Sequence, residues 1–373
     1  MKVIPEIPVK YSRFPDGYVN DINGWAFDKE TIIKNKGKLL TLDIDYGSYC
    51  SLDCPACFKK ENTIDDFKHE LQFSDLVEII LQAKQLGLRS VKFLGAGDPF
   101  ENSRFIEFLR FLKQQNVIPL IFTKGHVIGD DNLVYKYFSE YGIYTGYELV
   151  KELNKCNASI MLGFNSFDDE IQATMVGGNI DYIHLRNKAL QLLVKEGFNE
   201  TNPTRLALAI NPVTILNIDE VFEIYRWGRL RNMYCIVTPS MIAGRARDKR
   251  WVTINPAEHR LIKLYVDIYR FNIETNLQTL EQIKEEGVSS YAGGHPCNQV
   301  ATGMYVSLSG KVLTCPGSEE NIEGDYWEDS LENIWLSSEN HKRSGTFNSY
   351  CIAKDGKTIP YSLYENILIE ISI

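Results

Sequence analysis

The chain has 373 residues, 44% hydrophobic and 24% charged, an ordinary globular composition that excludes disordered, collagen-like and coiled-coil proteins and leaves room for two or three domains. Forty Lys plus Arg against 49 Asp plus Glu give a net charge of -9, the wrong sign for a partner held through nucleic-acid phosphates. No apolar run is long enough to span a membrane, and the opening MKVIPEIPVKYSRFPDG lacks the apolar core of a signal peptide, so the sequence predicts a cytoplasmic protein with neither nucleic acid nor membrane as partner.

Residues 1–38, rich in Pro, Gly, Asp and Asn with scattered aromatics, predict an extended lead-in rather than a domain. From residue 39 to about 250, apolar runs bounded by turn residues alternate with amphipathic stretches, the pattern of repeated βα units. The predicted strands are Leu39 to Asp45, Ser90 to Gly97, Ile118 to Thr123, Ala158 to Asn165, Leu206 to Val213 and Tyr234 to Met241, each buried on both faces. Helical spacing of Leu76, Ile79, Ile80, Ala83 and Leu86 before Gly87, and of Leu185, Ala189, Leu192 and Leu193 before Gly197, predicts crossover helices. Six such units suit a parallel sheet curled into an open, partial barrel, with a flat doubly wound sheet as the alternative. In either arrangement chemistry belongs at the carboxyl ends of the strands. Residues 251–292 predict a helical connector, and 293–373 a smaller α+β module opened by Gly293, Gly294 and Pro296, with a hairpin of Met304 to Ser309 and Val312 to Cys315 around Ser309-Gly310.

Eight cysteines in a reducing compartment point to metal ligation or burial rather than disulfides. Cys50, Cys54 and Cys57 form CxxxCxxC directly after the first predicted strand. Zinc wants four ligands, and this loop offers no fourth Cys or His, the nearest being His69. Three thiolates suit a cubane iron–sulfur cluster, whose fourth iron then stays open to a substrate or cofactor.

At these residues the sequence resembles the radical S-adenosylmethionine (SAM) superfamily, marked by CxxxCxxC after the first strand of a partial (β/α)6 barrel. The resemblance covers residues 40–245 and implies a [4Fe-4S] cluster on Cys50, Cys54 and Cys57 that chelates SAM, whose reductive cleavage gives a 5′-deoxyadenosyl radical that takes a hydrogen atom from substrate. Gly95-Ala96-Gly97-Asp98-Pro99 looks like the family's GGEP segment for the SAM amino group, with Asp98 in place of Glu and Ala96 in place of the second Gly. Thr123 (in Thr123-Lys124-Gly125), Asn165 with Ser166, and Asn211 stand at strand ends where relatives contact SAM, and Gly244-Arg245-Ala246 is similar to a family stretch after the sixth strand. Relatives often place an aromatic just before the third cysteine to pack on adenine; here that position is Ala56, with Phe58 on the other side.

Cys297, the hairpin ending at Cys315, Ser330-Leu-Glu-Asn-Ile-Trp335 and Cys351 resemble the SPASM/twitch auxiliary-cluster module in its short form. The resemblance implies a second, auxiliary [4Fe-4S] cluster on Cys297, Cys315 and Cys351, its fourth position open or filled by His295 or Asp355. Cys156 and Cys235 read as core thiols. Cys235, in the sixth strand, is also a candidate hydrogen donor if it faces the cavity. The predicted activity is hydrogen abstraction from a small polar metabolite of sugar, aminoglycoside or nucleotide type, or from a peptide, with an electron donor of the flavodoxin or ferredoxin type. The substrate is expected to enter a mouth formed by the lead-in and the C-terminal module, and 38 leading residues are too few for the peptide-binding winged helix that many peptide-modifying relatives carry. The rival reading is a non-catalytic iron–sulfur or zinc protein for electron transfer or regulation.

Overall fold

A computed structural model describes residues 1–61, 69–248, 250 and 254–373. Six strands, β1 (Thr41–Ile44), β2 (Ser90–Phe93), β3 (Ile118–Thr123), β4 (Ser159–Gly163), β5 (Leu206–Val213) and β6 (Tyr234–Pro239), pair in parallel with their sequence neighbours. Each is almost wholly buried, because helices cover one side and the curled interior the other. The expected strand centres are correct. The expected ends of the third and fifth strands match, and those of the other four overshoot: the second strand stops at Phe93, since Leu94 to Gly97 leave the ladder to line a cavity.

The two faces alternate with the pleat. Leu42, Ile44, Val91, Phe93, Ile121, Ile160, Leu208 and Val237 join the helix-side core, built with helices such as Phe73–Leu86 and Tyr182–Lys195. The first of these helices ends at Gly87, whose φ of 111° a residue with a side chain rarely adopts. On the concave side Leu120, Met161, Ala207, Ala209, Tyr234 and Ile236 meet Ile22 and Trp25 of the lead-in.

That contact corrects the expected mouth. Ile22 bridges to Thr204, just before β5, and Gly24 packs against Ser90 and Ile118, the first residues of β2 and β3. The lead-in therefore closes the amino end of the barrel, opposite the loops where the cysteines lie.

The C-terminal segment also differs from a free-standing module. Strand β7 (Gly303–Val306) pairs in parallel with β1, and β8 (Lys311–Leu313) and β9 (Ile322–Asp325) continue antiparallel. The result is one open nine-stranded sheet in the order β6-β5-β4-β3-β2-β1-β7-β8-β9. Helices follow over Glu258–Glu274 and Leu280–Glu286, and the helix Leu331–Ser337 buries Trp335, whose indole N–H donates to Gly37 O at 3.0 Å. Among the described residues no helix is long and apolar enough to cross a membrane.

Candidate active site

The loop after β1 carries Cys50, Cys54 and Cys57, and all three line one cavity at the carboxyl end of the sheet. Two braces hold it. Glu101 accepts from the Ser51 N–H at 2.8 Å and the Ser51 hydroxyl at 3.0 Å. Arg245 donates its own N–H to Cys57 O at 3.0 Å and to Lys60 O at 2.7 Å, while its guanidinium reaches Asp53 at 2.7 Å and Glu61 at 2.9 Å. The turn after β2 runs under the loop, with Asp98 N–H donating to Tyr49 O at 3.1 Å. Gly97 is required there by space, since a Cβ would stand 1.9 Å from Tyr49 O. Burial, then the charge of Asp98, pushes the Cys50 thiol up to about 12, and burial also raises Cys54.

Of the residues expected to contact SAM, Gly95, Ala96, Gly97, Asp98, Thr123, Asn165, Asn211 and Phe58 all line this cavity. Asp98 is already engaged: Oδ2 accepts from the Thr123 hydroxyl at 2.8 Å and Lys124 N–H at 3.1 Å, and Oδ1 from Phe100 N–H at 3.1 Å. Asn165 presents a buried Nδ2 with no protein acceptor, a donor left over for a bound group. Ala56 and Phe58 both face the cavity, so the aromatic has moved to the other side of Cys57 without leaving the wall.

Two expected residues are elsewhere. Ser166 is fully buried behind the wall, donating to Glu220, because its strand-end partner Asn165 takes the inward side. Cys235 points away from the cavity into the helix-side core, beside Gly228, since the pleat turns its neighbours Tyr234 and Ile236 inward. Burial pushes its thiol up to about 12, as expected of a core thiol. Cys156 is likewise a core residue.

Cys297, Cys315 and Cys351 line the same cavity from the opposite side, brought there from before β7, after β8 and the turn 351–359. They are close enough for Cys351 and Cys297 to raise the Cys315 thiol further, after burial has done most. His295 lies aside with Nδ1 2.6 Å from Glu286, and Asp355 accepts from Cys351 N–H at 2.8 Å and Tyr364 OH at 2.6 Å. Among the described residues no three His, Cys, Asp or Glu close on a point fit for a single metal ion, though both thiol sets line the one cavity. Soft thiolates in threes, a glycine-lined backbone cradle and an unmatched amide donor fit a cluster with a polar ligand upon it.

The residue reading missed several members of the site. Lys124 lines the cavity beside Gly163, where a Cβ would meet its Nζ at 3.0 Å. Asp43 and Gln299 also line the cavity, and Lys92 stands behind them, 3.4 Å from Asp43 across β1 and β2 and with Nζ donating to Gln299 at 2.8 Å. Charged residues at alternating positions of otherwise apolar strands were the available sign.

No protein-family model and no curated protein sequence matches the chain. Solved structures do. Native anSMEcpe with bound AdoMet matches with a TM-score of 0.59 at 14% identity, over 89% of this chain and 95% of that one. The same protein with AdoMet and the Kp18Cys peptide gives 0.57 at 14%, over 82% of each chain. Streptococcus suis SuiB bound to precursor peptide SuiA gives 0.54 at 15%, over 87% of this chain and 79% of that one. At such identities the likeness is one of fold.

Proposed function

We propose that the chain is a radical SAM enzyme with a twitch-like auxiliary site. The observation that carries this is the meeting of two separate sets of three thiols on one cavity at the carboxyl end of a parallel sheet. Cys50, Cys54 and Cys57 hold a [4Fe-4S] cluster with one iron left for SAM, and Cys297, Cys315 and Cys351 hold a second. When bound, the first cluster and SAM supply one-electron cleavage of a sulfonium and hydrogen-atom abstraction from substrate.

The chain's own residues bind and orient. Asp98 and the backbone of Gly95 to Gly97 receive the SAM ammonium, and Lys124 pairs with its carboxylate. Asn165 and Asn211 donate to its polar groups, and Phe58 packs on the adenine. Trp25 and Ile22 seal the amino end of the barrel and exclude water from that side. The substrate is a peptide or a small polar metabolite. AdoMet and a peptide in the similar structures support the SAM site and the peptide arm. An electron donor of the flavodoxin or ferredoxin type completes the cycle.

The test is anaerobic reconstitution followed by dithionite and SAM. The expected product is 5′-deoxyadenosine, lost in Cys54→Ala. A protein that binds iron but never cleaves SAM would be an electron carrier instead, and a Cys54→Ala protein active at the parent rate would end the proposal.

A further inference from the structure

Lys354 is a sealed lysine with no carboxylate at ion-pair distance among the described residues. The residue is 1% exposed. The other two buried lysines near the cavity are paired, Lys59 with Asp45 at 3.2 Å and Lys92 with Asp43 at 3.4 Å. Lys354 Nζ instead donates to Thr238 Oγ1 at 2.8 Å and stands 4.3 Å from the centre of the Tyr291 ring. The adjacent carboxylate makes no ion pair with it: Asp355 is hydrogen-bonded to Cys351 N–H and Tyr364 OH, and acts on Lys354 only at longer range, behind the three thiols. A buried ammonium is seldom kept unless an anion compensates it.

The groups able to do so are the C-terminal thiols. Tyr291, the ring beneath its ammonium, lines the same cavity as Cys297, Cys315 and Cys351. Burial lowers the Lys354 ammonium from its ordinary value, and negative charge on those three thiols works against that. The placement is built into the chain. Lys354 N–H donates to Cys351 O at 3.1 Å, Thr358 and Ile359 N–H groups donate back to Lys354 O, and the Thr358 hydroxyl ties the turn to Ser240 O at 2.8 Å.

We propose that Lys354 is the internal counter-ion of the cluster held by Cys297, Cys315 and Cys351, and that its charge raises the reduction potential of that cluster. This rests on the reading that these thiols hold a cluster. A doubly positive cubane core with three thiolates sums to one negative charge, which one ammonium cancels, and reduction adds a second that the ammonium stabilises. The Tyr291 ring and Thr238 hold the cation at a fixed place in a region of low dielectric, where a single charge acts strongly.

The experiment compares the full-length parent, Lys354→Met and Lys354→Arg after anaerobic reconstitution. Iron and sulfide are counted, and each cluster is titrated by electron paramagnetic resonance against potential. The parent and Lys354→Arg should hold about eight irons. In Lys354→Met the auxiliary signal should move to lower potential, with the radical-site signal unmoved, and Lys354→Arg should return it towards the parent. Loss of the auxiliary irons alone in Lys354→Met, restored by arginine, supports the same role through assembly. An auxiliary potential unchanged in Lys354→Met, or a loss that arginine does not restore, overturns it. A parent with about four irons places the failure in the two-cluster reading instead.

Discussion

Glu101 Oε1 accepts the backbone N–H of Ser51 at 2.8 Å, and so the segment after β2 holds the loop of the first three thiols in place. The same oxygen lies 2.9 Å from His126 Nε2. Burial works to raise the Glu101 carboxyl, but the bonds from His126 and Ser51 outweigh it and hold the group below its usual 4.5. Burial works to lower His126, but Glu101 and the Asp98 charge outweigh it and hold the imidazole above its usual 6.5. The carboxylate's contribution is present above pH 4.5 and lost as pH falls; the imidazolium's is full below pH 6.5 and lost as pH rises through its raised value. Glu101→Gln should therefore lower stability most between those two values, by about 1–3 kcal/mol, read as a drop in thermal midpoint, and less at higher pH. A deficit equally large at pH 5 and pH 9 would refute the coupling.

Asp98 has two tasks, and a substitution separates them. Its carboxylate already collects Thr123, Lys124 and Phe100, so a SAM ammonium is a fourth partner for a group with about four lone-pair directions. Asp98→Ala should cost about 1–3 kcal/mol of apoprotein stability and also weaken SAM binding at unchanged iron content. Stability lost with SAM affinity intact would leave Asp98 a structural residue only.

The strands were legible because parallel strands covered on both faces read as continuous apolar runs, as Ile118 to Thr123 and Leu206 to Val213 do. The first thiol set was legible because its spacing is local. What stayed hidden depends on facing and on distance along the chain. Asn165 and Ser166 differ by one residue yet only the first reaches the cavity, and Cys235 is turned outward between two inward neighbours. The pairing of β7 with β1 joins residues some 260 positions apart, and no local pattern announces it.

Thiols raised by burial must lose their protons to bind iron, so assembly should depend on pH. Cys50 stands at about 12, and Cys54, Cys297 and Cys315 are raised in the same direction. Each proton released against a raised value weakens binding, and raising pH relieves that cost. Iron uptake by the apoprotein should be slower and less complete at pH 7 than at pH 9, at fixed iron and sulfide. Uptake indifferent to pH would mean that the thiols enter as thiolates already.

Cys235→Ala should leave SAM cleavage and product formation unchanged and cost about 1 kcal/mol, the loss of a small buried apolar group. Its position beside Gly228, away from the cavity, carries this expectation. SAM cleavage retained with product lost would restore the hydrogen-donor role that the structure gives it no means to play.

The junction of β1 with β7 decides whether the two thiol sets share a cavity, and Gly303 is its tightest point. Gly303 pairs with Thr41, and a Cβ on it would lie 2.0 Å from Thr41 O and 2.8 Å from Thr41 Cγ2. Its backbone is extended, with φ of -167°, so the obstacle is space rather than conformation. Around it, Asn340 Nδ2 donates to Gly303 O at 2.7 Å and to Thr314 O at 2.9 Å, fixing the strand that precedes Cys315. Gly303→Ala must push β7 away from β1, at a cost of about 1–3 kcal/mol of overpacking. The shift carries Cys297 and Cys315, on either side of the junction, but leaves Cys50, Cys54 and Cys57 braced by Glu101 and Arg245. The variant should thus lose auxiliary iron first, falling from about eight irons towards about four while still cleaving SAM. Equal loss from both sites, or a full complement of eight with parent stability, would show that the junction does not set the auxiliary site.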